Sequence, residues 1–439
     1  MNKYLLIGVA AIAAVFLPAC SSDDSTKNNQ LNPIELSRAE SEVSANLNSF
    51  SVNLLKALVD QNDENKNIAV SPLGAGMVAG MFGNAIADED LSELTKALGL
   101  DSNDLSALNS FNAKMLETLP SHDKSATLKL ANGSWFDQNR VQLTESYRTI
   151  LDNEYISEIQ MADFSDKSTL ENINSWAAKN TDNAIPTILD ELNPYYLAVW
   201  VNTMYFKGSW KSMFDKSKTE KDDFTLSDGE KVKVEMMTGA RNIEAYNVYK
   251  RPEDSNDFSI ENAPFTTIVN MDYGNSAFAF SAIMPDQSLS INDFIVQNSD
   301  ILFNVLSKPE LLGVKVPSAS LIFPKMNIMV TTDLIPIMQS LGVNNIFNMD
   351  YGVNFPGLSI GRTDFGDSGN PYIGVFNQKI KFDVDEEGAI VKVATVGSGM
   401  LESAMSSVKA KFDHPFIYFI WEKTTGTILL EGVVMNPNE

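Results

Sequence analysis

Two hydrophobic periodicities divide this chain. Val43, Leu47, Phe50, Leu54 and Leu58 recur every three or four residues, which makes one apolar face of a long opening helix. Ile68 to Val70 is apolar and β-branched enough for a short strand. Ser71 then offers an N-cap hydroxyl and Pro72 a first helical residue, so a second helix starts there. Leu91 to Leu98 predicts a third helix, closed by Gly99. Further helices are predicted around Leu105 to Leu119, Glu145 to Glu154 and Leu170 to Lys179. Beyond them the pattern favours strands: Leu197 to Phe206, Phe278 to Met284, Lys379 to Val384 and Phe416 to Glu422 are apolar and rich in aromatic or β-branched residues. Met326, Met329 and Met338 read as core filler. With no tandem repeat or low-complexity linker between residues 40 and 435, one continuous α+β unit over 40–439 is expected.

One stretch carries two opposed patterns. EEGAIVKVATVGSGMLESA runs from Glu386 to Ala404. Its first half, Ala389 to Val396, suits a strand: Ala389, Val391, Val393 and Thr395 fall on an uncharged face, and Ile390, Lys392, Ala394 and Val396 on the other. Its second half, Gly397 to Ala404, is small, polar and interrupted by glycines, which suits an exposed, cleavable loop. Burying the uncharged face is worth roughly 4 to 8 kcal/mol. Some ten ladder hydrogen bonds would add on the order of 1 kcal/mol each. That sum rivals the ~5 to 15 kcal/mol stability of an ordinary domain.

The first residues are not expected to belong to the fold. MNKYLLIGVAAIAAVFLPAC has a short basic leader with Lys3, an apolar run from Leu5 to Leu17 and small residues before Cys20, the layout of a secretory signal over residues 1–19. The run is too short for a spanning helix. LPAC resembles the lipobox of bacterial lipoproteins, although Pro18 is an uncommon residue there; the resemblance implies lipid attachment at Cys20, and a plain signal peptide is the alternative. The polar stretch that follows, within residues 20–39, reads as a flexible tether. The expected place is therefore outside the cytoplasm, on a bacterial outer membrane or cell surface. Cys20 is the only cysteine, so no disulfide inside the chain is available and the fold must stand on packing.

Charge and chemistry then exclude more than they assign. The 439 residues carry a net charge of -24, which argues against a nucleic-acid partner. The two histidines, His122 and His414, have no second histidine at ligand spacing, so neither a metal nor another cofactor is expected. A Ser-His-Asp hydrolase would need one of them as base, and no G-x-S-x-G elbow or phosphate-cradling glycine loop occurs. With 57 acidic residues, the run Asp385, Glu386, Glu387 does not by itself mark a glycosidase.

Motif order is the distinctive feature. NIAVSPLGAGMVAGM resembles the Asn-x-x-x-Ser-Pro strand-to-helix motif of serpins. LAVWVNTMYFKGSWKSMF resembles their central strand, with Asn202, Phe206, Lys207, Gly208 and Trp210 in place. VKVEMM, SAIMPD, LIFPKMNI, DLIPIMQSLGVNNIF and KFDHPFIYFIWEKTTGTILLEGVVMNP resemble further serpin motifs in the family's sequence, so the chain is similar to a serpin over about residues 40–437. The resemblance implies the serpin fold: α+β, a large, mostly antiparallel central sheet, two further sheets, about eight or nine helices and an exposed reactive-centre loop over about 386–410. It also implies a monomer that is not an enzyme. Glu386, Glu387, Gly388 and Ala389 match the loop hinge.

The resemblance further implies a mechanism. A target endopeptidase, serine or as a second class cysteine in type, cleaves the loop and becomes acylated; the loop then enters the sheet as a new strand and the protease is trapped in a covalent complex. Its inward face would be Ala389, Val391, Val393 and Thr395. Counting forward from Glu386 sets the scissile bond at Glu402-Ser403; counting back from His414 and Pro415 favours Ala404 or Met405. A cluster of Ser71, Asn202 and Gln378 is implied where the sheet opens. The chain departs from the family in the bulk of Ile390, Val391, Lys392 and Val393, in Gln378 where histidine is usual and in Gly74 where serine is usual. A serpin-fold binding protein that inhibits nothing is therefore the main alternative, and an extracytoplasmic hydrolase using His414 a remote one.

Overall fold

The computed structural model describes residues 33–62, 66–239, 243–248, 266–299, 302, 314–315, 320–360, 371–388 and 409–439. Eight α-helices are found among them: α1 (Arg38–Asp60), α2 (Pro72–Gly83), α3 (Asp88–Ala97), α4 (Ser106–Thr118), α5 (Glu145–Asn153), α6 (Lys167–Asn180), α7 (Ile291–Gln297) and α8 (Ile335–Ser340). Periodicity located the first six to within a few residues. Ser37 closes a capping box with Glu40 at the start of α1. The packed chain begins still earlier: Ile34 is buried, and its N–H donates to Thr424 Oγ1 at 3.1 Å.

A seven-stranded antiparallel sheet forms the largest layer, built from Ile68–Val70, Ile428–Val434, Phe416–Glu422, Phe278–Pro285, Thr266–Asp272, Glu244–Val248 and Val314–Lys315 in that spatial order. Its two central strands are apolar at nearly every position because both faces are covered. A four-stranded sheet joins Lys409–Lys411, Ser320–Pro324, Lys231–Thr238 and Glu220–Thr225. A three-stranded sheet joins Glu158–Ala162, Ala126–Asp137 and Ala198–Gly208, and a two-stranded one joins Met326–Asp333 and Asn377–Val384. This is the α+β class expected from the sequence.

Ala126–Asp137, at twelve residues the longest strand, is absent from the sequence-based expectation. Its Asn132-Gly133 pair reads as a turn. Here Gly133 is a packing residue: a Cβ on it would lie 2.5 Å from the Trp135 ring and 3.0 Å from Trp176 of α6. The two indoles meet edge to face, with centroids 5.2 Å apart, and with Val199 and Val201 they seal α6 onto the outer face of the three-stranded sheet. The methionine expectation divides. Met326 and Met338 are core residues, whereas Met329 is 54% exposed, because strand alternation turns it outward.

One core group is chemically out of place. Glu431 is fully buried on Ile428–Val434; the Ser51 hydroxyl of α1 donates to its Oε2, and its Oε1 has no partner among the described residues. Burial pushes this carboxyl well above the usual range, with Ser51 opposing only in part. The folded state therefore favours the protonated form of Glu431 more than the unfolded chain does. Stability linked to this group is full below the unfolded value and falls as pH rises towards the folded one, by about 1.4 kcal/mol per pH unit. Glu431→Gln is expected to flatten the decline in melting temperature as pH rises above the ordinary carboxylate range. Equal declines in the two proteins would refute it.

Candidate functional site

The edge strands Ala198–Gly208 and Asn377–Val384 approach one another, with Cα atoms within 8 Å, yet no ladder joins them among the described residues. Among the described residues each thus presents an unpaired edge towards the other. They run in the same direction, because both C-terminal ends meet at the turn Asp385–Gly388. Beneath them lies α2, whose Phe82 touches Trp200 on one strand and Phe376 before the other, with centroids 6.1 and 5.5 Å away. Phe382 stacks on Tyr418 at 4.9 Å, fixing the second strand to the seven-stranded sheet.

The turn closes one end of this gap. Asp385 and Gly388 exchange both backbone hydrogen bonds at 3.2 Å, and the Glu387 N–H donates to Asp385 Oδ1 at 2.9 Å. Gly388 also bridges Ser209, so it stands between the ends of the two strands. Trp210 N–H donates to the Glu387 carbonyl, Phe214 N–H to the Glu386 carbonyl and the Trp210 indole to the Asp385 carbonyl, each at 2.9 Å. The indole is itself stacked on Tyr273 at 4.4 Å. Gly388 has φ +101°, and a Cβ there would lie 2.3 Å from the Gly208 carbonyl oxygen. Only glycine fits.

Charge pins the same turn. Glu386 is buried; the Thr219 hydroxyl donates to its Oε1 at 2.7 Å, and Lys325 stands 3.3 Å from its Oε2 and 3.5 Å from Glu235. Burial opposes ionisation of Glu386, but Thr219, its own backbone and Lys325 outweigh it and hold the carboxyl below its usual range. Burial raises the neighbouring Asp385 carboxyl, flanked as it is by two other acids. Glu387 pairs with Lys216 at 2.6 Å on the surface. Since the pKa of Glu386 is lowered, its contribution is present above the unfolded value and lost as pH falls through the folded one. Glu386→Gln is expected to cost about 1–2 kcal/mol of native stability at neutral pH, with the deficit closing under acid in thermal melts across pH.

The expected sheet-opening cluster forms in part. Ser71 and Gln378 are joined twice: Ser71 N–H donates to Gln378 Oε1, and Gln378 Nε2 donates to the Ser71 carbonyl, both at 2.9 Å. The Ser71 hydroxyl accepts from Gly74 N–H at 3.0 Å, capping α2. Asn202 instead donates to Asn132 Oδ1 at 2.8 Å. It packs so close to α2 that a Cβ on Gly74 would stand 2.4 Å from its Oδ1, which is the physical reason for glycine there. Of the hinge residues, Glu386, Glu387 and Gly388 are described. Ala389, Val391, Val393 and Thr395, the candidate bonds at Glu402, Ser403, Ala404 and Met405, and Cys20 lie outside the described residues. The sequence reading assigned no role to Lys325 or Thr219, although Lys325 sits inside the quoted LIFPKMNI motif.

Neither histidine is placed for hydrolysis. His414 Nε2 lies 2.7 Å from the Pro285 carbonyl and Nδ1 3.1 Å from Asp413, so both ring nitrogens are engaged. His122 is buried against Glu422 at 3.0 Å. Among the described residues no group of three His, Cys, Asp or Glu side chains could hold a metal ion.

Two edge strands without a ladder between them among the described residues, closed at one end by a pinned acid-acid-glycine turn, define the site. The family model for Serpin (serine protease inhibitor) matches residues 45–437, and the chain belongs to that family. It is 25% identical to Serpin-ZX of Arabidopsis thaliana over 408 residues, 89% of this chain and 97% of that one. Human neuroserpin is 26% identical, covering 88% of this chain and 90% of its own. The native thermophilic serpin tengpin aligns with TM-score 0.75 and 25% identity over 92% of this chain and 95% of its own. Serpins are mostly protease inhibitors rather than enzymes, and they bind target proteases.

Proposed function

We propose that this serpin inhibits serine endopeptidases, with cysteine endopeptidases as a second target class, by acting as a suicide substrate. The observation that carries the reading is Gly388, which already bridges both Asp385 and Ser209 at the head of a gap lacking a ladder. Continued residue by residue, these two antiparallel pairings put Ala389 between Gly208 and Val384, Val391 between Phe206 and Phe382, Val393 between Met204 and Ile380, and Thr395 between Asn202 and Gln378. Apolar residues would meet apolar neighbours, and the one hydroxyl would meet two amides. The protease nucleophile adds to the carbonyl carbon of the acyl-side residue, Glu402 in the forward count. The amide C–N bond breaks, and the new amine, carrying a proton, leaves with the chain from Ser403 onward. The acyl ester then travels with the inserting strand. Distorting the oxyanion hole, where loss of one donor slows acyl transfer by ~10² or more, would preserve the adduct.

The reading also tethers the protein through lipidated Cys20, outside the cytoplasm on a bacterial membrane; the leader sequence is its sole support. The bulk of Ile390 to Val393 keeps one rival, a serpin-fold binding protein that inhibits nothing. Mixing the protein with elastase-like, subtilisin-like and glutamyl endopeptidases separates the two. A denaturant-resistant adduct with at least one class is expected, and the mass of the released peptide identifies the bond. If every protease clips the loop and stays active, the rival stands.

A further inference from the structure

The edge strand Lys409–Lys411 lies at the seam of two sheets, and Asp413 and His414 fasten that seam. The strand pairs in parallel with Ser320–Pro324, and Phe412 N–H continues the ladder by donating to the Ile322 carbonyl at 2.9 Å. The Asp413 carbonyl accepts from Thr225 N–H, on the opposite edge strand of the same sheet, at 2.8 Å. Its carboxylate is shared: Oδ2 stands 3.3 Å from Lys411 Nζ, which also pairs with Asp222 at 3.0 Å, and Oδ1 stands 3.1 Å from His414 Nδ1. His414 Nε2 lies 2.7 Å from the carbonyl of Pro285, the last residue of a central strand of the seven-stranded sheet. Lys411, Asp413, His414 and Pro285 thus form a relay from the edge strand to the core.

Proton counting makes the relay conditional. A neutral imidazole has one N–H, an imidazolium two. Burial of Asp413 opposes its ionisation, but His414 and Lys411 outweigh it and hold the carboxyl below its usual range, so it remains an acceptor. Both ring nitrogens of His414 therefore face oxygens that only accept, and the geometry satisfies the ring when both nitrogens carry protons. Removing the Nδ1 proton sets a lone pair against Asp413 Oδ1. The donor then in reach is the Gln287 amide, 3.4 Å from Nδ1 on the connection to α7. The other charged groups that face the ring come from three further elements: Lys411 on the edge strand, Asp286 on the connection to α7 and Asp60 at the end of α1, across a cavity that the ring lines. The remaining lining of that cavity is uncharged among the described residues.

We infer that Asp413 and His414 form a proton-dependent clasp on the edge strand Lys409–Lys411, closed while the imidazole carries both protons and loosened when Nδ1 loses its own. Loosening breaks the middle link of the relay and exchanges a charge-assisted bond to Asp413 for a neutral one to Gln287. On the reading that sets a reactive-centre loop over about 386–410, this strand is the loop's distal end, and the clasp governs how firmly that end is held. The clasp itself does not require the loop to enter a sheet, so the two ideas stand or fall separately.

Hydrogen exchange of the intact protein tests it. Two amides report the clasp, Phe412 N–H on Ile322 and Thr225 N–H on Asp413, and Phe280, central in the seven-stranded sheet, serves as the reference. After correction for intrinsic exchange rates, protection of both reporters relative to Phe280 is expected to fall about tenfold from about pH 5 to about pH 8, the change expected from losing one charge-assisted hydrogen bond. His414→Gln removes the titrating ring. Asp413→Asn keeps the ring and supplies a side-chain amide that serves either of its proton states. The step is expected to vanish in both variants, whatever their absolute protection. A contact that is merely structural would lower protection equally at every pH in the variants and give no step in wild type. No step in wild type, or a step that survives in either variant, overturns the clasp.

Discussion

Clipping the loop is expected to raise the melting temperature, although it breaks a covalent bond. Nicking an ordinary domain does the reverse, because a cut loosens the chain it falls in. In the proposed mechanism the cut would free residues 389–402 to occupy a gap whose two walls, Ala198–Gly208 and Asn377–Val384, share no ladder among the described residues. A strand between them gains hydrogen bonds on both sides, roughly ten at ~1 kcal/mol each, and buries an apolar face worth roughly 4 to 8 kcal/mol. Ordering entropy offsets part of that. Unfolding entropy near 2.1 cal/mol/K per residue converts each remaining kcal/mol into about 1 °C for a chain of this length. Paired calorimetric scans of intact and nicked protein read the difference directly. An unchanged or lower value after nicking removes the source of energy on which the proposed inhibition depends.

What could be read beforehand, and what could not, follows from the range of the interactions. Helices α1 to α6 were visible because their signals lie within one or two turns: the Val43 to Leu58 face, the Ser71 cap, the Gly99 stop. The acid-acid-glycine at Glu386, Glu387 and Gly388 was picked out by its resemblance to the family's loop hinge, and Gly388 at φ +101° uses the property that sets glycine apart. The Ala126–Asp137 strand was hidden because its Asn-Gly pair is decided by two tryptophans, one of them 43 residues away on α6. Lys325 could not be assigned either. Its meaning lies in Glu235 and Glu386, which the fold brings to it from opposite sides in sequence. Gln378 meets Ser71 across 307 positions, and nothing near either residue announces the pairing. Cluster geometry thus had to come from the structure, whereas the motif order named its members.

The sharpest contrast is expected from one negative charge moved three residues along the loop. Val393→Asp should convert the protein from trap to substrate, whereas Ile390→Asp should leave trapping largely intact. If the proposed insertion continues the pairing of Gly388, residue 393 would turn inward between Met204 and Ile380, both buried. A carboxylate there must be desolvated without a partner or protonated against its normal range, at a cost of several kcal/mol. That is a large share of the insertion energy, and it falls due before the acyl bond has travelled far. Hydrolysis then overtakes insertion, and the protease leaves active. In the same register residue 390 would turn outward beside Lys207 and Asp383, neither of them buried, where a charge would stay in water. Both substitutions add the same charge close to the same bond, so an effect on protease recognition would not separate them. The ratio of adduct to clipped product, followed on denaturing gels, distinguishes the cases. Equal behaviour of the two variants would mean that the strand does not enter with this face inward, and the register would have to be abandoned.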